Sequence, residues 1–381
     1  MGLRRFPSAA RRVIIRAMRW PIAPLPYRVL SLPLLAALAA CAAPVGEAAE
    51  VEGREDAIIY GDDDRVEVYA TTDPLLQEIA QSAVGALVDE RLVEVGAGGG
   101  LTIRALSLSE AVMSTFERPY CEDQPYATQP VGADCSGVLI DDDLFMTAAH
   151  CIPTQEYCDD FAVVFDFYYA ADGELAEIGP DDVYECDSIQ VISYLRDYAI
   201  LRLDREVVGR RPAPVREGSD EIRGGQRISV IGHPMGLPMK IDDAGVAGTP
   251  YNDGVESFLF AADVQGGSSG SPIFTREGEV VGLVSRSQRT DGGFVNGRDC
   301  IALGVLEPDT PPLEIGGYVY RALHKLCNGG GGSSRLCRDP GVWCEDCGGG
   351  GCSAAGAGSG AGSVLWALAA VGWLARRRRR R

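Results

Sequence analysis

The chain has 381 residues, which at about 150 per domain leaves room for two or three domains and a sizeable core. With 46% hydrophobic and 23% charged residues its composition is that of a globular protein and excludes a wholly disordered chain. The formal net charge is −19, yet residues 1–40 hold seven arginines and no acid, and Arg376–Arg381 add six more. Between those ends 22 basic residues face 54 acidic ones, a balance of −32 that repels phosphate backbones and excludes nucleic acid as a partner.

The N-terminal arginines, from Arg4 to Arg28, precede an apolar run from Val29 to Ala40, too short to span a bilayer. Residues 1–40 therefore read as a signal peptide, with Met18 a possible start. The run closes on Leu38-Ala39-Ala40-Cys41, which resembles the lipobox of bacterial lipoproteins and implies cleavage before Cys41 and lipidation of its sulfur. Residues 41–114 are acidic and Ala-rich, with one helical stretch running from Asp73-Pro74 through Leu75, Leu76, Ile79, Val84, Leu87 and Val88; they read as a pro-segment or a spacer.

From residue 115 the texture changes to short strands between turns. Apolar or alternating runs fall at Ser136–Ile140, Leu144–Ala148, Phe161–Tyr169, Ile189–Tyr194, Tyr198–Leu203, Arg227–Ile231, Ser257–Ala261 and Val280–Ser285, with a closing helix at Tyr318–Leu326. Many short strands and few helices predict an all-β, antiparallel sandwich or barrel over 115–327. Residues 328–363 are a Gly/Cys-rich linker, and 364–381 join a short apolar segment to six arginines. With Cys352, that ending resembles myxobacterial C-terminal sorting tails; a simple membrane anchor is the alternative. Twelve cysteines agree with an exported chain that keeps disulfides. Cys327, Cys337, Cys344 and Cys347 are expected to form two small disulfides rather than a zinc site. The acidic clusters, such as Asp62–Asp64 and Asp141–Asp143, have no calcium-loop spacing and read as hydrated turns, so neither metal nor cofactor is expected.

The three histidines are His150, His233 and His324. His150 stands in Thr147-Ala-Ala-His-Cys151 after an apolar strand, with Cys135-Ser-Gly-Val-Leu-Ile140 upstream. Arg196-Asp-Tyr-Ala-Ile-Leu-Arg-Leu203 puts Asp197 before an alternating strand, and Gly266-Gly-Ser-Ser-Gly-Ser-Pro272 is a tight Gly/Ser loop. In this order the three motifs resemble the trypsin/chymotrypsin-like serine proteases, with Gly267-Ser-Ser-Gly-Ser-Pro272 and Arg227–Pro238 similar to the bacterial V8-like (glutamyl endopeptidase) branch. The resemblance implies two packed six-stranded antiparallel β-barrels with a short C-terminal helix, and a Cys135–Cys151 disulfide. It also implies His150 as general base, Asp197 as its orienting acid, Ser269 as nucleophile, and the Gly267 and Ser269 amides as the oxyanion hole.

His233 becomes a loop residue near the site. Asp263, Val284, Ser285 and Arg286 fall where the family lines its specificity pocket. Two departures bear on what can be carried over. Ser268 occupies the position where animal trypsins keep the Asp that pairs with a new N-terminus, so that activation switch is expected to be absent. Val284 stands where glutamate-cutting enzymes keep a histidine, which argues against glutamate preference. A rival reading takes Gly266–Gly270 as the G-x-S-x-G elbow of an α/β-hydrolase esterase, with Ser268 as nucleophile and His324 as base, but that fold needs alternating helices and parallel strands. A third reading is a protease-like binding module without turnover. The sequence therefore predicts a monomeric serine endopeptidase acting on proteins or peptides, exported to the outer membrane, the cell surface or the medium. Its tether would be Cys41, the C-terminal tail, or both.

Overall fold

In the computed structural model the chain divides into Met1–Glu52 and Gly53–Arg381, and the described residues all lie in the second unit: 58–96, 99–219, 221–251, 256–288, 294–296, 299–329 and 334–338. The expectations for Cys41, Cys344, Cys347, Cys352 and the 364–381 tail fall outside them. Among the described residues no helix is long and apolar enough to cross a membrane.

Asp73 caps the helix Pro74–Ser82, its carboxylate accepting the amides of Leu75 and Leu76, and Pro74 supplies a preset first turn. The helix stops at Ala83, short of the expected Val88, and Val84–Asp89 is a strand whose first five residues are all buried. Six strands close a barrel in the order Phe161–Val164, Val183–Ser193, Tyr198–Leu203, Leu144–Thr147, Cys135–Asp141 and Val84–Asp89. Val84–Asp89, inside the stretch expected as a pro-segment or spacer, is thus a wall of the barrel, which without it has two open edges. Phe145, Phe165 and Tyr184 fill its interior as edge-to-face pairs, and full burial of one such ring contributes about 1.5–3 kcal/mol.

The second layer is an eight-stranded antiparallel sheet, ordered Val246–Tyr251, Ser257–Ala261, Glu314–Tyr318, Val280–Ser287, Pro272–Phe274, Ser229–Gly232, Lys240–Asp242 and Arg65–Glu67. It departs from the expected second six-stranded barrel. Its first six strands curl until an isolated bridge, Arg227–Val246, joins their two ends, while Lys240–Asp242 and Arg65–Glu67 extend past the seam. Val138, Ile140, Met146 and Ile200 of the barrel pack with Ile231, Phe274 and Leu283 of the sheet in one apolar cluster. The helix Tyr320–Asn328 adds Ala322, Leu323 and Leu326 to it.

Part of the expected linker is docked. Cys327 bonds Cys337, and Ser334 and Arg335 both bond the buried carboxylate of Asp141, at 2.6 Å each. Cys121–Cys300 and Cys158–Cys186 are also bonded. The antiparallel ladders and the lack of alternating helices in the described residues rule out the α/β-hydrolase reading of Ser268 and His324.

Candidate active site

Antiparallel pairing places the end of one strand beside the start of its neighbour. Ala199 pairs with Thr147, so His150, three residues beyond Thr147, meets Asp197, two residues before Ala199. Asp197 adopts φ +52°, a left-handed conformation that aspartate tolerates better than most residues and that turns its carboxylate back toward the histidine. The His150 amide donates to Asp197 Oδ1 at 3.0 Å, and Nδ1 lies 3.0 and 2.9 Å from the two carboxylate oxygens. A carboxylate only accepts, so Nδ1 carries a hydrogen, and in the neutral ring Nε2 is then the acceptor nitrogen. Ser285 Oγ donates to Asp197 Oδ2 at 2.6 Å. Burial alone raises the Asp197 carboxyl, but the hydrogen bond and charge of His150, then Ser285 and the His150 amide, outweigh it and hold it below the ordinary aspartate value.

The loop 266–270 is fixed from several sides. The Ser136 amide donates to Ser269 O and the Gly270 amide to Val284 O, both at 2.8 Å. Gly270 has φ +80°, and a Cβ there would lie 2.3 Å from Ser136 O and Thr147 Oγ1; at Gly267, φ +88°, it would lie 2.4 Å from His233 O. The carbonyls of Gly266, Gly267 and Ser268 accept from Met235 N at 2.5 Å, Ser136 Oγ at 2.8 Å and Ser271 N at 2.8 Å. In a trans peptide the carbonyl and the following N–H point opposite ways. Fastening Gly266 O and Ser268 O outward therefore turns the amides of Gly267 and Ser269 to the other side of the loop. Cys135 and Cys151 are bonded; their sulfurs and a His150 ring nitrogen lie within 4.8 Å of one another, and Cys151 Sγ is 3.8 Å from Ser269 O. One disulfide thus underlies both the histidine and the serine loop. This is also the one close group of three metal-type donors among the described residues, and its sulfurs are spent on each other.

The pocket candidates differ in their surroundings. Val284 is buried in the core of the second sheet, Ser285 is turned to Asp197, and Arg286 is exposed. Asp263 is buried, and its two oxygens accept the amides of Tyr60 at 2.8 Å and Asp64 at 2.9 Å. His233 is fully buried against Phe167; its amide donates to Ser136 Oγ and its Nδ1 bonds Leu237 O, and burial pushes it down to about 3, so it stays neutral. Ser268 is buried, its Oγ accepting the Gln265 amide at 3.2 Å, while His324 lies on the C-terminal helix against Tyr320. Sequence reasoning missed Ser136, Met235 and the turn of Ser285 toward Asp197. Each acts across many residues of sequence, and only the position of Ser285 beside the expected pocket drew notice.

Residues 135–283 match the trypsin-like peptidase domain family. A protein named "Probable periplasmic serine endoprotease DegP-like" from Marinomonas sp. (strain MWYL1) is 28% identical over 130 residues, 33% of this chain and 27% of that protein. Its namesake from Ectopseudomonas mendocina (strain ymp) is 31% identical over 130 residues, with the same shares. The chain thus spans about a quarter of the length of these curated relatives. The crystal structure of the Rv3671c protease, inactive form, aligns with a TM-score of 0.39 and 15% identity over 68% of this chain and 93% of that one. Over residues 135–283 the chain is thus similar to the trypsin-like peptidase domains, and five of the six strands of its closed antiparallel barrel fall wholly within that match.

Proposed function

We propose that the chain is a serine endopeptidase with Ser269 as nucleophile, His150 as base and Asp197 as its orienting acid. The observation that carries this reading is the His150 Nδ1–Asp197 contact, made by a histidine standing over the same disulfide as the Ser269 loop. Ser269 Oγ attacks the peptide carbonyl carbon as its proton passes to Nε2, and the Gly267 and Ser269 amides take the charge that grows on the carbonyl oxygen. The imidazolium, stabilised by Asp197, returns the proton to the departing amine, leaving an acyl-enzyme. Water then repeats the sequence and frees the acid. Losing one oxyanion donor costs about 100- to 1000-fold in rate in such sites.

The V8-like branch is the closer kin within the superfamily on the 227–238 and 267–272 motifs. Val284 argues against glutamate selection; Asp263 stands six residues before Ser269, where trypsins keep the pocket Asp that selects Arg or Lys, but its capture by two main-chain amides argues against that preference. The periplasmic naming of the relatives, the disulfides and the signal-like N-terminus together favour an exported, tethered chain acting on proteins. The test is to label the full chain with a fluorophosphonate and map the adduct by mass spectrometry. An adduct on Ser269 that vanishes in Ser269→Ala and His150→Ala is the expected result. A folded chain that takes no label would favour a binding module.

A further inference from the structure

The sequence from Val264 to Thr275 contains no charged residue, yet one buried cation touches it. Arg65, in the Arg65–Glu67 strand at the edge of the second sheet, has a side chain 1% exposed. Its Nη1 donates to Gln265 Oε1 at 2.5 Å, while Nε and Nη2 grip Asp63 at 2.7 and 2.6 Å. The guanidinium also lies 5.2 Å from the centre of the Tyr126 ring, whose hydroxyl donates to Arg65 O at 2.9 Å. Gln265 is the first residue of the turn that presents Ser269: its carbonyl accepts the Ser268 amide at 2.8 Å and its amide donates to Ser268 Oγ. Two residues earlier, the Asp263 carboxylate holds the amides of Tyr60 and Asp64. The 60–65 segment therefore fastens the entrance of the loop at two points, just as Ser136 fastens its other side.

We propose that Arg65 is a positioning residue for the nucleophile loop, holding Gln265 so that the Gly267 and Ser269 amides converge. The assignment rests on the reading of Ser269 as nucleophile. It gives the N-terminal segment a task in turnover beyond its place in the sheet. Asp63 fixes the guanidinium plane, so the donor reaches Gln265 in one orientation, a precision a flexible ammonium lacks. Loop geometry matters at this level because misplacement of about 1 Å can cost about 100-fold in rate.

The experiment compares full-length Arg65→Met, Gln265→Met, their double variant and Gln265→Glu. It reads the rate of fluorophosphonate attachment at Ser269 and kcat and KM on a peptide, well below each variant's melting temperature. Each Met variant should slow attachment and kcat by about 10- to 100-fold with KM little changed. In the double variant the rate losses should not multiply, because the Arg65–Gln265 bond they share is already gone in either single. Gln265→Glu, which keeps the acceptor, should recover most of the rate. Folded variants that label at the wild-type rate, or a double variant whose losses multiply, overturn the proposal while leaving the protease reading intact. Should Arg65→Met fail to fold, Gln265→Met decides alone, since it leaves the Arg65–Asp63 pair whole. A wild-type chain that never labels overturns the protease reading and this inference with it.

Discussion

Asp197 gathers three donors around one carboxylate: the His150 ring, the His150 amide and the Ser285 hydroxyl. Each favours the ionised form, and together they overcome the burial that disfavours it. Because this folded-state value is depressed, the resulting stability is present above the unfolded aspartate value of about 3.9 and is lost as pH falls through the folded one. Ser285→Ala removes one charge-assisted bond and should cost about 1.5–3 kcal/mol of unfolding free energy at pH 7. Denaturant titrations should show the gap to wild type narrowing below about pH 4, as both forms take up the proton. Peptide cleavage should fall as well, since a carboxylate with one tie fewer holds the imidazole less firmly.

The Val84–Asp89 strand marks where the sequence was hard to read. Its residues are buried toward both faces, so no period of two shows, and its apolar residues continue the helical spacing of the real helix before it. Tyr198–Leu203 and Ser257–Ala261, by contrast, are found with the expected bounds. Thr147–Cys151 and Gly266–Pro272 were legible because tight turns and close backbone contacts leave local marks in residue type. Arg65, Ser136 and Gln265 were not, because their bonds span 131 and 200 residues and leave no pattern in either partner's neighbourhood. The strand carries a direct prediction. A chain starting at residue 115 should fail to fold, whereas one starting at residue 58 should give a cooperative melt by circular dichroism. A folded, protease-resistant 115–338 fragment would mean that the barrel closes without its sixth strand.

Across the whole molecule, several ties join residues distant in sequence. Cys121–Cys300 spans 179 residues, and the 60–67 segment lies against strands some 175 to 200 residues away. At that seam Asp242 accepts the amides of Asp263 and Ala244, and both aspartates are buried. Burial first, with Asp64 nearby, pushes Asp242 up to about 6; burial first, then Asp242 itself, pushes Asp263 up to about 7. Raised carboxyls bind more protons folded than unfolded, so their contribution to stability falls as pH rises from about 4 to about 7. Asp242→Asn loses one acceptor at every pH, at a cost of about 1–3 kcal/mol, but escapes that decline. Its deficit against wild type in urea unfolding should therefore be largest near pH 4 and smallest near pH 8, and a deficit that grows with pH would contradict the arrangement.

The disulfide beneath His150 and the Ser269 loop ties the two ends of one hairpin, so the barrel has many other reasons to hold together, while the proposed base and the nucleophile loop share that single floor. A chain whose Cys135 and Cys151 are still thiols would keep the ladder of that hairpin but lack the tie beneath the proposed base and nucleophile loop. Cutting power on the proposed reading then arrives with oxidation, after the surroundings in which the chain is made have been left behind, so a maker of such an enzyme is spared its action until that bond closes.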